Sequence, residues 1–247
     1  MATRHSLVVV CAAALLLHPA PPVARAQSKQ PTARTPASGP PFPGTRDPQQ
    51  ILANLVYAIK EGGFGQRRAT FAQMAEKPTI RRLMEVEDQL DLGDYWLLEL
   101  ENPAGQYIGI AAVRKDGRMR AMGAGDGVTE PSPANSVADL AKVQKAIGAR
   151  FGASRARYAI GLATIDSYQE YYPLIVADSA QGTVLVTRRL EVYRETQRVP
   201  KAQRTDATRH GTAIPNIGKP AYVTKSGDLL VLESLGTLSR EAVQPER

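Results

Sequence analysis

The longest unbroken apolar run lies at the start of the chain, from Leu7 to Leu17. Arg4 and His5 precede it, Pro19, Pro21 and Pro22 follow, and Ala24-Arg25-Ala26 supplies a small-x-small cleavage site. Charged, apolar and small-residue regions in that order predict an export signal over 1–26, because eleven apolar residues are too few to span a bilayer as a helix. From Gln27 to Pro48 no periodicity survives. Six prolines (31, 36, 40, 41, 43 and 48) predict a disordered tether over 27–48.

Helical periodicity begins at Asp47-Pro48, an N-cap followed by a first-turn proline. Ile51, Leu52, Leu55, Val56 and Ile59 form one apolar face, and Gly62-Gly63 ends it. Ile80, Leu83, Met84 and Leu90 after Pro78 predict a second helix, closed by Gly93. The period then becomes alternating: strands are expected over Tyr95–Glu101, Tyr107–Arg114 and Arg118–Met122, separated by Asn102-Pro103-Ala104-Gly105 and Lys115-Asp116-Gly117. Gly123–Asn135 reads as a loop. Ser136 caps a helix carrying Val137, Leu140, Val143, Ile147 and Phe151; strands follow over Tyr158–Ile165, Tyr171–Ala177 and Thr183–Thr187. A last hairpin pairs Ala221–Thr224 with Leu229–Leu232, and the tail from Ser239 is polar.

Both halves read helix, strand, strand, hairpin, strand. The expected organisation is a signal peptide (1–26), tether (27–48), first module (49–123), linker (124–135), second module (136–193), basic loop segment (194–219), and hairpin with tail (220–247). The fold class is α+β: antiparallel sheet with helices on one face, arranged as two tandem helix-plus-meander modules and a C-terminal hairpin.

Composition narrows the chemistry. The net charge is +7, of which the leader supplies Arg4 and Arg25. The only cysteine, Cys11, and two of the three histidines, His5 and His18, also lie in the leader. The mature chain thus has no thiol and one imidazole, His210, which stands in a polar stretch ending at Gly211. Cysteine catalysis is excluded. A serine–histidine hydrolase requires His210 as its base, and no G-x-S-x-G elbow accompanies it. Zinc needs Cys and His in numbers absent here, and the acids Glu85, Glu87, Asp88, Asp91 and Asp94 lack calcium-loop spacing. Gly123-Ala124-Gly125-Asp126-Gly127 is not a dinucleotide fingerprint. No metal or cofactor is expected.

Two features suggest binding. Tyr168, Tyr171 and Tyr172 form a cluster of a residue type enriched at protein interfaces. Arg188 to Arg209 holds seven cations, among them Arg188, Arg189, Arg194 and Arg198, interleaved with acids and without stacking aromatics. That pattern fits an anionic cell-wall or lipid surface better than nucleic acid. The expected function is an exported, non-catalytic interaction protein, periplasmic or secreted, with a protein partner. The alternatives are a hydrolase using His210 and anionic-surface binding through 188–209.

The helix-then-meander layout of Ser136–Thr187, and of Pro78–Met122, resembles cystatin-type and PepSY-type modules. That resemblance implies a protein-binding or inhibitory role. The cystatin Q-x-V-x-G loop is absent, so it carries no functional residue across.

Overall fold

A computed structural model of the chain describes residues 39–89, 93–125, 137–165, 172–203 and 218–243. It is mixed α and β, built on one large, mostly antiparallel sheet. The Asp47 carboxylate accepts the N–H groups of Gln49 and Gln50 and starts α1 (Pro48–Glu61), as its capping pattern predicts. Gly62 ends that helix, and Gly63, at φ +63°, redirects the chain into two short helices absent from the sequence expectation, α2 (Phe64–Arg67) and α3 (Ala69–Glu76).

The helix expected after Pro78 is instead a strand, β1 (Thr79–Asp88). It is central, with β2 on one side and β5 on the other, and both of its faces meet packed layers. A strand buried on both faces loses its polar/apolar alternation, so Ile80, Leu83 and Met84 imitate a helical stripe. The hairpins follow expectation: β2 (Tyr95–Glu101), β3 (Tyr107–Arg114) and β4 (Met119–Ala124) form a meander. Helix α4 (Leu140–Phe151) is capped by Asp139 rather than by Ser136, which lies outside the described residues. A second meander follows, β5 (Ser154–Ile160), β6 (Leu174–Ser179), β7 (Gly182–Val186) and β8 (Glu191–Val199). The C-terminal hairpin is β9 (Ala221–Val223) with β10 (Leu229–Thr237), before the short α5 (Arg240–Val243).

The ten strands run in the order β4-β3-β2-β1-β5-β6-β7-β8-β10-β9. All neighbours are antiparallel except β1 and β5, where Val86–Asp88 lies parallel to Tyr158–Ile160 and joins the two meanders. Beyond Ile160 the chain continues alongside β9: Thr164 N–H bonds Ala221 O at 3.0 Å, Val223 N–H bonds Leu162 O at 2.8 Å, and Ala163 bridges Tyr222. This contact closes β5–β10 into a ring. Ala159, Leu174, Val176, Leu185, Tyr222, Leu230 and Leu232 form the cluster inside it.

The helices occupy both faces of the sheet, not the single face expected. Ile51, Leu55 and Ile59 of α1 and Met74 of α3 cluster with Trp96, Leu98 and Leu100, whereas Val143 and Ile147 of α4 cluster with Tyr95 and Leu97. Successive strand residues point to opposite faces, so the alternation within β2 assigns each helix its side. An amphipathic stripe says that a helix is half-buried, and not under which face.

The described residues begin at Gly39, and Asn54 of α1 holds the segment that follows. Its amide accepts Phe42 N–H at 2.9 Å and donates to Phe42 O at 2.8 Å, while Gly44 N–H reaches Lys115 O at 2.9 Å. The start of the expected basic loop, 194–199, is strand β8, followed by a 3-10 turn at Lys201–Gln203. Its arginines are paired within the sheet, Arg194 with Glu233 of β10 and Arg198 with Glu195 of β8 itself.

Candidate functional site

The antiparallel pairing of β6 with β7, Ile175 opposite Val186, places the residues entering β6 beside those leaving β7. Tyr172 therefore meets the turn Thr187–Leu190. Arg188 lies over its ring, 5.3 Å from guanidinium carbon to centroid. Leu190, at φ +64° and buried, anchors the turn with N–H to Thr187 O at 2.8 Å. Arg189 N–H bonds Thr187 Oγ1 at 3.3 Å and its side chain is exposed. Tyr172 of the tyrosine cluster and Arg188 of the basic stretch, separate in sequence, thus meet at one place. Tyr168, Tyr171 and His210 lie outside the described residues.

The other two basic candidates are elsewhere and are engaged. Arg194 reaches Glu233 of β10 through Nε at 3.1 Å and Gln181 at 3.0 Å. Arg198 grips both oxygens of Glu195, at 2.8 and 2.9 Å, and approaches Asp228 at 3.9 Å. Thr183 N–H adds a bond to Glu195 at 2.9 Å. Hydrogen bonding from Arg198 holds the Glu195 carboxyl down at about 2, against the opposing effect of burial. Arg157 continues this belt of charges, bonding Glu87 at 2.7 Å and Asp178 at 3.4 Å.

Two buried polar groups went unrecognised in the sequence. On the α4 face, Arg82 Nη1 donates to Val137 O at 2.6 Å and lies 3.4 Å from Glu99, which also accepts Val137 N–H at 3.3 Å. Tyr158 Oη donates to Ala138 O at 2.7 Å and accepts Leu140 N–H at 3.1 Å. Arg82, Glu99 and Tyr158 thereby fasten the start of α4 to three strands. Burial pushes the Glu99 carboxyl up, with Arg82 opposing, and pushes the Tyr158 phenol up to about 12. At the far end of the same face, Arg120 crosses the Tyr95 ring at 4.8 Å and pairs with Asp88 at 2.6 Å, their side chains 8% and 0% exposed. The signal available was parity. Glu99 shares its strand face with Tyr95 and Leu97, so an inward carboxylate was readable from Tyr-Trp-Leu-Leu-Glu-Leu-Glu.

Among the described residues no group of three or more His, Cys, Asp or Glu is placed to hold a metal ion, and no helix is long and apolar enough to cross a membrane. The chain matches no family model, no curated protein and no solved structure. Function must therefore be read from the geometry. Glu99, Tyr158, Glu195 and Arg198, whose protonation is displaced, are engaged in internal hydrogen bonds, and the Tyr172–Arg188–Arg189 surface offers residue types suited to recognition.

Proposed function

We propose that this is an exported, non-catalytic binding protein that engages a protein partner through the surface around Tyr172, Arg188 and Arg189. The observation that carries the reading is the stacking of Arg188 on Tyr172 beside the exposed Arg189. Tyr and Arg are the residue types over-represented among interface hot spots, and stacking fixes both before contact. Binding to an anionic polymer or lipid through 188–209 draws less support, since Arg194 and Arg198 already face carboxylates. We also infer that the two meanders, joined at β1 and β5, are two copies of one helix-plus-meander layout.

Site-specific photo-crosslinking in the exporting cell tests the interface. A benzophenone side chain at position 189 is expected to give one adduct of defined mass, abolished by Tyr172→Ala/Arg188→Ala. The same probe at Lys145, exposed on α4, gives none. No adduct at 189, or the same adduct at 145, rejects the proposal.

A further inference from the structure

The strap over α1 holds an unusual side chain. Phe42 is the large hydrophobic residue exposed among the described residues, with 40% of its surface open. A lone exposed phenylalanine ordinarily signifies little, because ordering it on contact consumes much of the gain. Here the backbone beneath the ring is already held. Asn54, itself fully buried, binds both the N–H and the carbonyl of Phe42. Pro41 and Pro43 restrict the backbone on either side, and Gly44, at φ +76°, completes a turn whose N–H is tied to Lys115. Underneath, Gly117 leaves no spare room: a Cβ there would stand 2.8 Å from Asn54 Nδ2 and 3.0 Å from Pro40.

We infer that Phe42 is a preformed docking knob whose ring inserts into an apolar socket on a folded protein partner. The surroundings favour a protein. Arg46, Asp47, Asp116 and Arg118 are exposed beside the strap and mix both signs of charge. An apolar centre within a mixed polar rim is the anatomy of a protein interface. An anionic lipid surface would favour cations alone, and one ring supplies little of the apolar area that membrane anchoring needs. A second copy of the chain fits poorly. The apolar groove of about 400 Å³ along α1, lined by Leu52, Ala53, Val56 and Tyr57, lies on the flank of the helix away from Asn54. A knob and a hole on opposite flanks join head to tail and do not close on a two-fold axis.

This inference rests on the reading of the chain as a protein-binding module, and one experiment separates the two. A benzophenone side chain at position 42 is crosslinked in the exporting cell alongside the probe at 189, and the adduct is identified by mass spectrometry. The identified partner is then purified and titrated with the full mature protein and its variants. Phe42→Ala is expected to weaken binding about 30-fold or more while leaving the urea midpoint unchanged. Asn54→Ala, which frees the strap but keeps the ring, weakens it less. An adduct at 189 without one at 42 overturns the knob and keeps the binding module, whereas no adduct at either position overturns both. An identified partner that binds Phe42→Ala within threefold of the parent also overturns the knob.

Discussion

Replacing Arg120 by methionine removes one half of the most deeply buried ion pair described and takes its guanidinium away from Asp88. Asp88 has no exposed side-chain surface, and the guanidinium at 2.6 Å is 8% exposed and stacked on Tyr95. Breaking a buried pair from one side costs about 3–5 kcal/mol, because the remaining charge keeps its desolvation penalty and loses the opposite charge that offset it. Methionine retains much of the stem, so little of that cost comes from lost volume. With a urea dependence of roughly 2–3 kcal/mol per molar, the unfolding midpoint of Arg120→Met is expected to fall by about 1–2 M. Asp88→Asn is expected to cost less, since Arg120 keeps the Tyr95 ring and an edge at solvent. The double variant Arg120→Met/Asp88→Asn removes both charges and should recover to within about 1.5 kcal/mol of the parent. Equilibrium urea unfolding of all four proteins closes the cycle. If Arg120→Met costs under about 1 kcal/mol, or the single costs simply add, the pair is not the buried unit argued here.

Three further outcomes follow from the polar contacts. Glu99 is raised above its ordinary value by burial, so its contribution to stability is fully present below about pH 4.5 and declines as pH rises through its folded-state value; Glu99→Gln should flatten that part of the urea-midpoint profile. Glu195 is held down at about 2, so its contribution is present above about pH 4.5 and is lost as pH falls towards 2. Because Arg198 is 46% exposed, solvent screening limits that contribution to about 1 kcal/mol, and it should vanish in Glu195→Gln and shrink in salt. Gly117→Ala forces a side chain into φ +86° against Asn54 and Pro40 and should cost about 1–3 kcal/mol, with faster amide exchange at Phe42 and Gly44. Unchanged exchange there would mean that the strap does not depend on this turn.

Local signals were legible where a single residue decides the backbone. Asp47-Pro48 started α1, Gly62-Gly63 ended it, and the turns at Asn102–Gly105, Lys115–Gly117 and Lys225–Asp228 delimited three hairpins. What escaped depends on partners far along the chain. The second face of β1 is buried by layers that its own pattern does not reveal, and α1 and α4 carry similar stripes for opposite sides of the sheet. Asn54 stood within an apolar stripe, yet a polar residue there becomes a clamp only when Phe42 is brought to it. The Tyr172–Arg188 contact required β6 and β7 to be paired first.

The closure between Leu162–Thr164 and β9 also bears on how the chain reaches this state. Nearly every other strand neighbour is a neighbour in sequence, so each meander can zip through short loops. Three joints are different in kind, the β1–β5 and β8–β10 pairings and the closure of Leu162–Thr164 on β9, since each must recruit segments separated by whole elements. Loop-closure entropy falls on these three joints, which makes them the natural rate-limiting events in folding. A polypeptide emerging N-terminus first would have its first meander complete before Tyr222 arrives to shut the ring.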